Sequence, residues 1–449
     1  MTAESGRPAA TRPVPGTRAG DAQSFPMSPM QERVWHAHRR APASGRYNVQ
    51  RVLRLRGPLD GARLERSLAA VVHRHESLRS SFPDGGGMQR VHRQADVAVA
   101  TIDLAATPRD GHDAAVRRLA LDDAHRPFDL AHAPLLRARL VRLRDDEHAL
   151  IFAVHNIACD GWSLGILFRE WAAAYGSLDG AIPTPPPPIQ YADYTEWRRR
   201  QPDDGAAVRA LARWKERLAG RPPPIAWRGG SATDDAGARR VALLSTAVAD
   251  AVAMHARRES VTPFAAYLAA FLVLLGRAGG RDDIVVGTPI AGRDDIETRS
   301  VVGLFVDLLA IRGDLTGAPS FAGLARRMHA TVTEAIGHRA APFQRIAESL
   351  DPADGSDHAP LVDVVINYTG DRQRIPVRWG DLDVELLDVD AGPAPHALTL
   401  YVRDEGRIKL ELVHRTAALT TRDAGSFLDD YVRLLERACA DPARPIDAL

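Results

Sequence analysis

Five of the six residues from Pro183 to Pro188 are proline, and that passage divides the chain more sharply than any other feature. Proline lacks a backbone N–H and fixes φ, so the segment can neither continue a helix nor enter a sheet interior. A chain of 449 residues interrupted there reads as two packed bodies joined by a crossover. The composition, 45% hydrophobic and 26% charged, lets both bodies bury a core without a metal or disulfide. A net charge of +1 argues against electrostatic binding of nucleic acid. No apolar run reaches the length that crosses a membrane. Cys159 and Cys439 stand far apart with no C-x-x-C spacing, so neither a disulfide framework nor a metal site is expected, and a reducing cytoplasm fits.

Residues 1–23, rich in Pro, Gly, Ala, Thr and Arg, read as a disordered tail. A first lobe is expected over 24–182 and a second over 183–449, with 183–190 as the crossover. Leu64, Leu68, Val71 and Val72 share one face of a helix over 63–74. Residues 138–143 and 149–155 read as strands joined by a polar turn. A helix over 163–175 follows, with Leu164, Leu167, Phe168, Trp171 and Tyr175 on one stripe and Ser163 as its N-cap. Beyond a second Pro/Gly-rich loop over 221–232, a long apolar helix is expected at 261–275 and strands at 283–289 and 300–312. Paired strands at 398–403 and 407–414 and a closing helix at 425–439 complete an α/β pattern.

Chemistry concentrates in His155-Asn156-Ile157-Ala158-Cys159-Asp160-Gly161-Trp162-Ser163. A strand ends at a histidine, turns through a short loop and enters a helix, which can hold a polar side chain at a cleft floor. Asp160-Gly161 supplies a turn, and the carboxylate can pair with an arginine from elsewhere.

This segment resembles the H-H-x-x-x-D-G signature of nonribosomal peptide synthetase condensation domains, in the chloramphenicol-acetyltransferase-like superfamily. Seven further stretches resemble that family's motifs in order. They are Ser28 to Trp35, Arg74 to Phe82, Tyr191 to Trp197, Gly287 to Arg293, Val302 to Asp307, Pro342-Phe343-Gln344 and Pro360 to Tyr368. The resemblance implies two acetyltransferase-like lobes arranged as a V-shaped pseudo-dimer around a central tunnel. It implies acyl transfer from a carrier-protein thioester to an amine or alcohol, either soluble or carrier-bound. The phosphopantetheine arm arrives with the carrier, so no cofactor or metal of the enzyme's own is expected. With no adenylation core, carrier segment or P-loop legible, the chain reads as a free-standing, monomeric, cytoplasmic enzyme of antibiotic-type secondary metabolism.

Carried over by position, the catalytic motif comprises His155, Asn156, Asp160 and Gly161. Arg293 is the expected salt-bridge partner of Asp160, and Trp162, Ser163 and Asn367 are candidate tunnel residues. Asn156 stands where the family carries its catalytic histidine. An imidazole takes and returns a proton near neutral pH; a carboxamide only donates and accepts hydrogen bonds. General base catalysis contributes about 10²–10⁴-fold. Three readings stay open: activity through positioning, a binding or gating module that has lost catalysis, or an introduced substitution. For Asp160, Arg293 and His155 a structural role is the plainer reading, and core packing suits Trp162 equally. Gly161-Trp162-Ser163-Leu164-Gly165 also spells the G-x-S-x-G of serine hydrolases. That makes a Ser163 nucleophile a rival, although no strand runs directly into Gly161.

Overall fold

The computed structural model describes residues 15–16, 18, 20–200, 205–225, 227, 235–350, 361–370, 375–389 and 392–449. Pro360, part of the 221–232 loop and most of the expected tail lie outside these residues.

The apolar run within Glu147–His155 is buried on both faces, which suits only a central strand. It lies between Asn48–Arg56 and Leu136–Arg142, antiparallel to both. Val99–Asp103 adds a parallel edge. The helices Gly61–Arg74 and Gly161–Gly176 pack together on one face, burying Leu68, Val71, Phe168 and Trp171 against Phe152. Fully burying one such side chain contributes roughly 1.5–3 kcal/mol.

A second six-stranded sheet runs in the order Asp307–Asp314, Asp283–Ile290, Val364–Thr369, Leu398–Asp404, Ile408–Arg415, Gly237–Leu243. Its helix-covered face rests on Pro263–Gly279, in which every residue from Ala265 to Gly276 is buried. Such all-round burial follows from neighbours on several sides: Thr246–Arg258, Phe321–Gly337 and Thr421–Ala440.

The structure redraws the expected division at 183. Helix Tyr191–Arg200 still packs on the first half, against strand Ala22–Pro26, and the Tyr191 hydroxyl is hydrogen-bonded to Ser28 Oγ at 2.9 Å. The chain leaves the first lobe after Arg200. It later returns: Arg378–Trp379 and Leu382–Leu386 extend the first sheet, with Asp383 opposite Arg56. The tail also ends before residue 23. Arg18 donates to Glu76 through Nε (2.7 Å) and Nη2 (2.6 Å), and to Asp193 at 2.8 Å; Ala22–Pro26 pairs with Met88–His92.

The expected strand over 300–312 forms only from Asp307. Residues 302–306 make no ladder, and several of their backbone groups are taken by first-lobe side chains. Val302 O accepts from Ser77 Oγ (2.8 Å), Leu304 O from the Tyr191 hydroxyl (2.5 Å), and the Phe305 and Val306 amides donate to Asp160 (3.0 and 3.3 Å). Every buried peptide group needs such a partner, and here the partners bind one lobe to the other.

Candidate functional site

Asp160 caps helix Gly161–Gly176, its Oδ1 accepting from the Ser163 amide at 2.8 Å. Arg293 Nη2 donates to the same carboxylate, 3.1 Å from Oδ1, with both side chains at most 2% exposed. Arg293 also donates to Thr298 O (2.5 Å), Val301 O (2.7 Å) and Ser163 Oγ (2.7 Å), and its guanidinium lies 4.1 Å from the centre of the Phe305 ring. Both terminal nitrogens of Arg293 and both oxygens of Asp160 are hydrogen-bonded, leaving only the Arg293 Nε proton without a partner among the described residues, and such pairing is what makes burial of the charges tolerable. Gly292 precedes it at φ 62, where a Cβ would stand 2.1 Å from Phe305 O; only glycine lets the segments approach. Gly303 is likewise held against the Tyr191 ring, 2.2 Å from where its Cβ would be.

Ser163 is the third residue of its helix, not its cap; Asp160, three positions earlier, takes that role. The Ser163 hydroxyl donates to Gly303 O (2.9 Å) and accepts from Gly303 N (3.0 Å) and Arg293. One donor and two lone pairs are thereby used, at 0% exposure. That removes the hydrolase reading, because no capacity is left for a base or substrate. Nor is Ser163 a tunnel residue. Trp162 is half-buried, and its indole N–H donates to Arg299 O at 3.1 Å, bracing the same segment.

His155 closes its strand at 1% exposure. Its ring centre lies 5.3 Å from that of His38 and 6.0 Å from that of Phe128, both edge-on, and Nδ1 accepts from the Ile157 amide at 3.3 Å. Burial, with His38 and Arg137 adding, pushes its pKa down to about 3, so the ring is neutral. Cys159 is buried too, and burial with Asp160 raises its thiol well above the ordinary range, which leaves it inert.

Asn156 differs from its neighbours. Its amide donates to Tyr47 O at 2.8 Å, carrying the ladder one step past the His155–Asn48 pair. Its side chain is half-buried, and among the described residues the carboxamide has no hydrogen-bond partner. By strand alternation it shares a face with Val154 and Phe152, opposite to that of His155.

Arg51, His396, Tyr401 and Arg403 stand between the lobes deep enough for burial to be the leading influence on each, yet all four keep partial solvent contact. Deep in protein but still wetted, these side chains border a solvent-reached passage between the two sheets. Asn367 stands opposite Tyr401 in the register and, by strand alternation, points away from the core that takes Ile366. The sequence reading missed Arg51, although a signal was present: it breaks the apolar alternation Val49, Leu53, Leu55. Among the described residues no cluster of His, Cys, Asp or Glu could hold a metal, and no single helix is long and apolar enough to cross a membrane.

Residues 21–449 match the family description "Condensation domain". The chain is 38% identical over 350 residues to one of the linear gramicidin synthase proteins of Brevibacillus parabrevis, covering 76% of this chain and 7% of that protein. It is 36% identical over 405 residues to phosphinothricin tripeptide synthetase PhsB of Streptomyces viridochromogenes, covering 88% and 34%. The chain thus spans about a third or less of these relatives' length. Among solved structures, the X-domain from teicoplanin biosynthesis superposes with a TM-score of 0.85 at 26% identity, covering 98% of this chain and 99% of that one. The first condensation domain of the calcium-dependent antibiotic synthetase, with a substrate analogue, gives 0.80 at 22%, covering 95% and 99%. The architecture is the two-lobed acetyltransferase-like fold, and this chain belongs to the condensation domain family.

Proposed function

We propose that the domain transfers an acyl group from a phosphopantetheine thioester on a carrier protein to an amine held at Asn156. The observation that carries this is the Asn156 carboxamide, half-exposed and without a partner among the described residues, on a loop that Asp160 and Arg293 hold rigid. The amine nitrogen attacks the thioester carbonyl, the C–N bond forms, the C–S bond breaks, and the proton lost by the amine ends on the departing thiol. The carboxamide accepts a hydrogen bond from the nucleophile and orients it without taking its proton. Positioning alone supplies a large part of such a barrier reduction. The pantetheine arm belongs to the substrate, so the domain needs no cofactor of its own. On this reading it meets a donor carrier and a soluble or carrier-bound acceptor.

A second reading has the domain bind or gate carrier-borne intermediates without turnover. The same asparagine favours it, as does the likeness to an X-domain solved in complex with OxyB, at a TM-score of 0.83.

The test supplies loaded donor carriers with matched amine and alcohol acceptors and follows products by mass spectrometry, for the wild type and Asn156→His. Amide product is expected from the wild type, with alcohols turned over about 10²-fold less because a protonated hydroxyl depends more on a base. Asn156→His narrows that gap. Equal turnover of amine and alcohol refutes the positioning role, and product from Asn156→His alone establishes the binding module.

A further inference from the structure

Arg51 lies opposite Phe152 in the ladder and so shares the face of Phe152, Val154 and Asn156. Its Nη1 donates to Gln50 O on its own strand at 2.7 Å. Among the described residues no carboxylate lies within ion-pair distance. Glu411 across the passage is the acid that acts on it, but that carboxylate is already shared: Oε1 accepts from Arg239 at 3.1 Å and Oε2 from Arg403 at 2.8 Å. Among the described residues Arg51 therefore carries its positive charge without a counter-charge of its own. Burial, with Arg403 adding, lowers the Arg51 pKa from its ordinary value, a sign of how unfavourable the unpaired charge is there. A charge in such a place costs stability unless something pairs with it, and one neutral hydrogen bond to Gln50 does not call for a guanidinium.

Resting on the acyl-transfer reading, we infer that Arg51 binds a carboxylate borne by a reactant in the passage, on the same side of the strand as Asn156. A guanidinium presents paired donors matched to a planar carboxylate. The carboxylate belongs either to the acceptor, an amino acid with a free carboxyl group, or to the acyl chain of the donor.

Two ligand series separate these sources, read by ligand-observed NMR on the purified domain, so the result does not depend on turnover. N-acetyl amino acids against their carboxamides report the acceptor side; succinyl-pantetheine against butyryl-pantetheine reports the donor side. The carboxylate member of one series is expected to bind at least about tenfold more tightly, the scale of a charge-assisted pair. Arg51→Gln abolishes that preference, Arg51→Lys keeps part of it, and Arg51→Gln melts no lower than the wild type. No carboxylate preference in either series overturns the inference, as does a preference that survives Arg51→Gln or a lower melting temperature in that variant. Failure of acyl transfer with the carboxylate preference intact would count against the catalytic reading alone.

Discussion

His155 and Asn156 are adjacent in the chain and belong to contrasting regions. On the closed side His155 is sealed among aromatic rings, and Asp160, Ser163 and Arg293 spend nearly all their hydrogen-bonding capacity on one another and on residues 298–306. On the open side Asn156 and Arg51 keep capacity unspent among the described residues, and Tyr401 and His396 stay in contact with solvent. The difference separates two jobs. A polar cluster so nearly saturated fixes a loop between two lobes and, being buried, offers little to a ligand. Unused donors and acceptors beside a wetted passage are where a ligand can still gain something. Several residues that the family motif gathers into one string thus divide between framework and surface.

Breaking the closed side should give the largest stability change. Arg293→Met leaves the buried Asp160 carboxylate without its counter-charge and strips donors from Thr298 O, Val301 O and Ser163 Oγ. Removing one partner of a buried pair costs about 3–5 kcal/mol, to be read as a lower midpoint in urea unfolding. A loss under about 1 kcal/mol, the range of an exposed pair, would mean the lobes are held together elsewhere. Ser163→Ala comes next, at about 1–3 kcal/mol, because both polar groups of the buried Gly303 peptide lose their hydroxyl partner. The same protein should resist a serine-directed fluorophosphonate; labelling of Ser163 would place it on the open side after all.

The sequence showed the strand, loop and helix around Asn156, the stripe of Gly161–Gly176 and the Asp160–Arg293 pairing, because alternation, periodicity and a shared motif are all written in short stretches of residues. It misplaced the helix cap because Asp160 and Ser163 are comparable cap residues and only the tertiary partners of Ser163 decide between them. It drew 300–312 as one strand because apolar composition does not reveal that Gly303, Phe305 and Val306 give their peptide groups to the other lobe. The return of Leu382–Leu386 to the first sheet pairs it with Asn48–Arg56, far back in the chain, and a five-residue strand carries no local information about so distant a partner. Arg51 was legible as a charge on an apolar face; what it faces depends on the second lobe.

A pH series compares one histidine from each side. Burial pushes both His155 and His396 from the ordinary 6.5 down to about 3. A group so lowered binds fewer protons folded than unfolded between those values, so its contribution to stability is full above about pH 6.5 and falls as the pH drops toward 3. Each fully shifted histidine steepens the acid limb by about 1.4 kcal/mol per pH unit. His155 has no solvent contact to relieve its imidazolium, whereas His396 borders a wetted passage, so its share is smaller. Urea unfolding from pH 7 to 4 should therefore show the flatter acid limb in His155→Gln, with His396→Gln closer to the wild type. Equal slopes in the two variants would mean the passage is as dry as the cluster around His155, and the contrast between the two sides would fail at that point.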